Sequence, residues 1–600
     1  MLNPNETRIE RDVMVPLRDG VRLATDLHFP PGWSEDDEPL PVVLARTPYD
    51  KLAQDEMAAG CARHGYIFAS QDVRGRYQSE GEFYPFAHEA PDGYDAVEWL
   101  AEQPWCNGKI GTIGQSYVAA VQNALATLNP PHLSAMAVTY GPSSYYHHAM
   151  RQNGALELRF FVYAFTMAST SREAAADPAL KAALEDAHAN VWDYVRNCPI
   201  RPGETPLALV PSYERWLLDI LQHVRHDDHW KQRGFGPLPY YDEHADVPTL
   251  YIGGWYDSYT RASIENFVEL RARQQQPVHL LMGPWTHAGA GVGKCGDATF
   301  APHGSLDDYL GLRLAFFDRF MREEDADFGQ EKAVRYFVMG GGEGPAEEAP
   351  AQGPAEIRHG GEWRESDIWP PESCEPTDFY LHADGGLTPE APTVQSASSS
   401  WTFDPADPVP TIGGNLSALG VEPGGYDQRN DPRFRFTEGT MALSARRDVL
   451  CFQTEPLQED VEVIGPVEVV LYVASDAPDT DFTAKLLDIY PPCPAYPAGC
   501  ALNLTDSIMR LRFRNGYDRE DMAEPGEVYE LRFELYPTAN RFAAGHRIRV
   551  DISSSNFPRF ELNPNTGGPL GSDRRRRIAH NKVHHDATHP SRIVLTISVP

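Results

Sequence analysis

Three residues in this chain are of the types that make a nucleophile, its general base and an orienting carboxylate. Ser116 lies in Lys109–Leu128 (KIGTIGQSYVAAVQNALATL), which reads as strand, tight turn and helix, the pattern of a nucleophile elbow. Gly114 lets the chain turn without side-chain crowding, and Ala119 and Ala120 let the backbone pass close on the helix side. Position 118 is valine, so the strict G-x-S-x-G pattern is not met. Taken alone, the segment also suits a serine that caps a helix after a buried strand. Asp257 follows the apolar run Thr249–Tyr256, and His287 follows Val278–Thr286. Each has a plainer use, Asp257 as a helix cap and His287 as a loop residue. The chain order Ser, Asp, His at three strand ends matches the order of an acyl-transfer triad on an open parallel sheet. Such chemistry also needs donors for the developing oxyanion. The Tyr117 N–H, directly after the serine, supplies one. A second candidate is the Tyr49 phenol in Arg46–Lys51 (RTPYDK), which would serve equally as a packing residue.

These residues need a scaffold, and the apolar pattern predicts one. Pro41–Ala45, Tyr66–Ser70 and Lys109–Ile113 are short apolar runs expected as strands, with helical patterns over Asp92–Ala101 and Val118–Leu128. Alternating strands and helices predict a parallel sheet covered on both faces. From about 141 to 240 strand signals vanish, and Leu156–Phe165, Ala174–Cys198 and Pro211–His223 read as helices, expected as a cap over the C-terminal sheet edge. Strands resume at Pro248–Gly253 and Val278–Met282, with a helix over Arg261–Arg273. Gly340–Pro354 has the composition of a linker. Beyond it, short alternating strands such as Glu462–Val473, Arg547–Ser553 and Arg592–Val599 predict an all-β sandwich or jelly roll.

Composition narrows the partners. The 600 residues carry 52 Lys+Arg against 86 Asp+Glu, a net charge of −34, which argues against nucleic acid or an anionic membrane. No apolar run reaches a membrane span, and the N-terminal segment has no basic-then-apolar leader, so a cytoplasmic protein is expected. The eight cysteines show no CxxC spacing and are expected as free thiols.

The segments RTPYDK (46–51), DVRGRYQSEGEF (72–83), DGYDAVEWLAEQPWCNGKIGTIGQSY (92–117), GGWYDSY (253–259) and GPWTH (283–287) resemble those of the CocE/NonD hydrolases. SSSNFPRFELNPNTGG (553–568) and HHDATHPS (584–591) fit the C-terminal β-domain of that family. The resemblance runs nearly end to end. It implies an α/β fold: an α/β-hydrolase domain (1–140 and 241–350) interrupted by a helical cap (141–240) and followed by an all-β jelly roll (351–600). It implies Ser116, Asp257 and His287 as catalytic, with Tyr117 and Tyr49 forming the oxyanion hole. The family's elbow has Ala119 where glycine is usual, and little effect is expected from so small a residue.

Specificity is read mostly by exclusion. Within the resemblance, α-amino-acid ester hydrolases hold the substrate ammonium with carboxylates, partly two and three residues past the aspartate. Those positions are Tyr259 and Thr260, and Tyr140–Gly154 contains no Asp or Glu. That specificity, and aminopeptidase action with it, is therefore disfavoured. Tyr145, Tyr146, His147, Phe160 and Phe161 are candidates for an aromatic acyl pocket, with cap packing as their alternative use. Arg151 and Arg159 are candidate cations for a carboxylated acyl group. His584, His585, Asp586 and His589 have ligand chemistry but no ligand spacing, so neither metal nor cofactor is expected. The expected activity is carboxylic ester hydrolysis on a small-molecule substrate, with an amidase or acylase as the alternative. A non-catalytic binding role for the jelly roll is disfavoured by the complete set of candidate groups. Self-association is left open.

Overall fold

The computed structural model describes residues 7–345, 355–417 and 420–599. Nine strands of a larger sheet carry the site. Its first edge is an antiparallel hairpin, Arg8–Pro16 with Arg22–Phe29, and the second of these pairs antiparallel with Ile67–Asp72. From there the strands run parallel: Ile67–Asp72, Leu40–Thr47, Cys106–Gln115, Leu133–Thr139, Thr249–Tyr256, Val278–Thr286 and Val334–Gly340. The central strands are buried along nearly their whole length, as a doubly covered parallel sheet requires. The antiparallel hairpin is an addition to the purely parallel sheet expected. Its outer strand Arg8–Pro16 is mostly exposed or half-buried, as an edge strand is, whereas Arg22–Phe29 is buried at every residue but the first.

The cap leaves the sheet after Leu133–Thr139 and returns at Thr249–Tyr256. Its core is the helix Arg159–Ser169, buried at ten positions and packed by Pro211–Gln222. The single long helix expected over Ala174–Cys198 is three: Arg172–Ala176, Pro178–Ala189 and Val191–Arg196. Asp177 ends the first and caps the second, with Pro178 at its first turn, so local chemistry divides the segment.

The C-terminal region is two packed β-sheets. One is built on the 15-residue strand Val461–Ser475, paired with Arg592–Ser598, Tyr529–Glu534, Thr538–Phe542 and Ala579–His584. The other is the four-stranded sheet holding Leu450–Gln453, Arg547–Ser553, Asp481–Tyr490 and Cys500–Arg510. Val334–Gly340 touches both regions, since its last residues pair with Thr538–Phe542. Of the linker-like stretch, Gly344–Pro345 pairs with Ile357–Arg358, and residues 346–354 lie outside the described residues. All eight cysteines are free thiols, and no described helix is long and apolar enough to cross a membrane.

Candidate active site

The turn after Cys106–Gln115 forces Ser116 into φ 62°, ψ −122°, a conformation an L-residue adopts only when its surroundings impose it. Gly114 makes the turn possible. A Cβ there would come within 2.1 Å of Val118 Cγ1. Ser116 N–H donates to the Thr139 carbonyl (3.0 Å), and the Ser116 carbonyl starts the helix Tyr117–Ala126. The Tyr117 N–H, at the first position of that helix, is one of the donors a helix leaves unpaired.

His287 Nε2 lies 2.8 Å from Ser116 Oγ, and His287 Nδ1 lies 2.5 Å from Asp257 Oδ2. The two contacts use both ring nitrogens, so the imidazole is held at each end. Asp257 is fully buried, and its other oxygen accepts from the Tyr259 N–H at 2.6 Å. Two tyrosines flank the ring. Tyr140, at φ 56°, lies 5.2 Å from it and donates its hydroxyl to the Thr286 carbonyl (3.0 Å), while Tyr259 lies at 5.6 Å. The sequence reading missed Tyr140, because its position follows from the sharp exit of Leu133–Thr139 into the cap.

Tyr49 is 38 % exposed as a residue, yet its hydroxyl is packed inside the site, 3.3 Å from the Tyr163 hydroxyl. Burial pushes its phenol up to about 12, with hydrogen bonds to Tyr163 and Ser116 pulling the other way. A neutral phenol is a donor. Beneath the elbow, the Tyr117 hydroxyl donates to Glu89 (2.7 Å) and accepts from the Phe86 N–H (2.9 Å). Arg46 closes this buried network 3.0 Å from Glu89, so the helix that starts at Tyr117 is tied to the sheet.

A cavity of about 620 Å³ opens over Ser116 and His287. Tyr145 and Phe160 line it. Tyr146, His147 and Phe161 do not, and this corrects the expected pocket. The Tyr146 hydroxyl donates to the Val224 carbonyl at 2.8 Å, His147 packs on His226 and Tyr517, and Phe161 stacks on Phe165. Adjacent residues on a helix cannot share one face, so with Tyr145 and Phe160 on the cavity these three side chains are directed elsewhere, His147 against Tyr517 of the C-terminal region. Arg151 is also structural, donating to carbonyls of Gly154, Ile220 and Leu221. Arg159 reaches the cavity, but its charge is met by Glu157 at 2.5 Å. Among the described residues, no aspartate or glutamate lines the cavity. Tyr163, Tyr309 and Arg313 line it too. Sequence reasoning gave them no weight because they carry no motif.

His584, Asp586 and His589 do converge, with one ligand atom from each within 4.8 Å of the others, where the scattered spacing predicted no such grouping. A turn brings them together. One Asp586 oxygen accepts the N–H groups of Thr588 and His589, and His585 faces away to Ser399.

Residues 19–289 match the X-Pro dipeptidyl-peptidase (S15 family) model, and residues 326–594 match the X-Pro dipeptidyl-peptidase C-terminal non-catalytic domain. Cocaine esterase of Rhodococcus sp. (strain MB1 Bresler) is 34% identical over 623 aligned residues, covering 98% of each chain. The chain belongs to the CocE/NonD family. Solved structures match along its length. An aminopeptidase from a marine sediment Thaumarchaeota archaeon has TM-score 0.78 at 24% identity, covering 100% of this chain and 97% of that one. An α-amino acid ester hydrolase has TM-score 0.75 at 24% identity, covering 99% and 97%.

Proposed function

We propose that this CocE/NonD protein is a serine esterase that works through an acyl-enzyme on Ser116. The observation that carries this is the hydrogen-bonded file Ser116–His287–Asp257 at the floor of a cavity. His287 Nε2 takes the Ser116 proton as Oγ attacks the ester carbonyl, and Asp257 orients the ring and stabilises its charged form. The Tyr117 N–H and the Tyr49 hydroxyl stabilise the oxyanion. The alcohol leaves with the proton from His287, and water then repeats the sequence on the acyl-enzyme. The similarity to a protein named cocaine esterase supports ester over amide as the bond cleaved. A cavity lined by arginines and by no described carboxylate offers nothing to an α-ammonium, which supports leaving amino-acid esters and N-terminal peptides aside.

The test is hydrolysis of a matched ester and anilide of one short acyl group, by the native protein and by Ser116→Ala. Ester cleavage without anilide cleavage is expected, with a loss of roughly 10⁴-fold or more in the variant. Comparable anilide cleavage would make the protein an acylase. Full activity in Ser116→Ala would remove the proposed nucleophile.

A further inference from the structure

Nine arginines of the described chain are buried, and eight of them have their charge or donors met. Arg46, Arg510, Arg512 and Arg549, for example, lie 3.0, 2.9, 2.8 and 2.6 Å from a carboxylate. Arg76 lacks a carboxylate but donates to the carbonyls of Pro48 and Met167 and the hydroxyls of Tyr213 and Thr170, all within 2.9 Å. Arg313 is the exception. It is 7 % exposed, and its one hydrogen bond among the described residues runs from Nε to the Tyr309 carbonyl one turn earlier, at 3.3 Å. No described carboxylate lies within 4.0 Å of it. The guanidinium rests 4.2 Å from the centre of the Tyr309 ring and lines the cavity over Ser116.

A buried guanidinium without an anion is costly in a chain with 86 carboxylates to draw on. Its place is also well defined. The Tyr309 hydroxyl lies 2.6 Å from Thr139 Oγ1, and Thr139 precedes Tyr140, which flanks the His287 ring. The helix Asp55–Arg63 packs against the Arg313 helix, closely enough that a Cβ on Gly60 would come within 2.6 Å of Leu310 Cδ2. Arg313 thus lines the cavity beside Gln54 and Met57, and neither of its Nη groups makes a hydrogen bond among the described residues.

We infer that Arg313 is an anion-recognising, specificity-determining residue, and that the preferred substrates are esters carrying a carboxylate on one arm. The inference rests on the esterase proposal for the same cavity. A compact carboxylate can take two parallel N–H bonds from a guanidinium, which a neutral group cannot.

Two matched pairs locate the anion. On the acyl arm, the 4-nitrophenyl hemiester of succinate is compared with 4-nitrophenyl butyrate. On the alcohol arm, 3-acetoxybenzoate is compared with 3-acetoxybenzamide. In one pair the native protein should favour the anionic ester in kcat/KM by roughly 10- to 100-fold, chiefly through KM. Arg313→Gln should collapse that ratio toward one, and Arg313→Lys should restore part of it, a dependence on charge that a packing role would not produce. Separately, Ser116→Ala protein is titrated with benzoate and with benzamide by calorimetry. Tighter binding of benzoate, lost in the Ser116→Ala, Arg313→Gln double variant, is expected. Anionic-to-neutral ratios near one in both pairs, or ratios unchanged in Arg313→Gln, would overturn the anion subsite while leaving the esterase intact. Selective benzoate binding with no ester cleaved would instead overturn the esterase proposal and leave the subsite standing.

Discussion

The cavity has two arginines on two walls, and they are used differently. Arg159, on the cap wall, is enclosed. Glu157 meets its charge, Ser417 accepts at 2.7 Å and the Ala149 carbonyl at 3.2 Å, and its plane packs 4.2 Å from Phe160. Glu157 is itself fully buried and shared, accepting from Gln152 at 2.6 Å and facing Arg559 of the β-domain at 3.5 Å. Arg313, on the hydrolase-domain wall, has a comparable burial and one long hydrogen bond. Burial and residue type therefore do not distinguish a structural cation from a binding one. The count of satisfied donors does.

The largest effect should come from breaking the enclosed side. Glu157→Gln leaves Arg159 without its carboxylate and weakens the tie to Arg559. A loss of about 3–5 kcal/mol is expected, read as a shift in the denaturant midpoint. A loss below about 1 kcal/mol would mean that the cap does not depend on this pair.

Tyr49 bridges the two walls, because its hydroxyl meets Tyr163 of the cap while its chain neighbours Gln54 and Met57 line the Arg313 side. Tyr49→Phe should lower kcat by about 10²- to 10³-fold with a smaller change in KM, as for an oxyanion donor. A change confined to KM would assign the phenol to substrate binding instead.

A smaller effect, of opposite sign, is expected at the open wall. Arg313→Met removes an unmatched buried charge, so it should raise stability by about 0.5–2 kcal/mol. A destabilisation as large as that of Glu157→Gln would make the two arginines alike and both structural.

The least change concerns alkaline pH. With the Tyr49 phenol at about 12 in the folded protein against an ordinary 10.0, the native state keeps a proton that the unfolded chain gives up. The stability linked to this group is fully present below pH 10 and is lost as pH rises through 12. The pH profile of kcat/KM should therefore show no limb from this phenol below about pH 11. A limb near 10 that disappears in Tyr49→Phe would show that the hydroxyl is not buried as described.

Much of the scaffold was legible because its signals are local. The apolar runs Pro41–Ala45 and Val278–Met282 lie within strands Leu40–Thr47 and Val278–Thr286, since a doubly covered strand must be apolar on both faces. Gly114 and the small residues after Ser116 marked the elbow for the same reason, as a turn that crowds its own backbone admits few residue types. The break at Asp177 was equally local but was obscured by the helical apolar pattern around it.

What stayed illegible depends on side chains brought together from distant segments. The aromatic run Tyr145–His147 with Phe160 and Phe161 carries no information about which rings face the cavity. That is decided by a helix of four residues and by the rings of Phe235 and Tyr517 packed against it. Neither could sequence separate Arg151, Arg159 and Arg313. The sequence by itself determined the layered α/β order, the helical insertion, the β-rich C-terminal half and the chain order of Ser116, Asp257 and His287. Only the tertiary structure decided which tyrosines flank the histidine and which buried arginine is left, among the described residues, with a single long hydrogen bond. A hydrogen bond is a property of two positions, and the sequence of either one alone does not contain it.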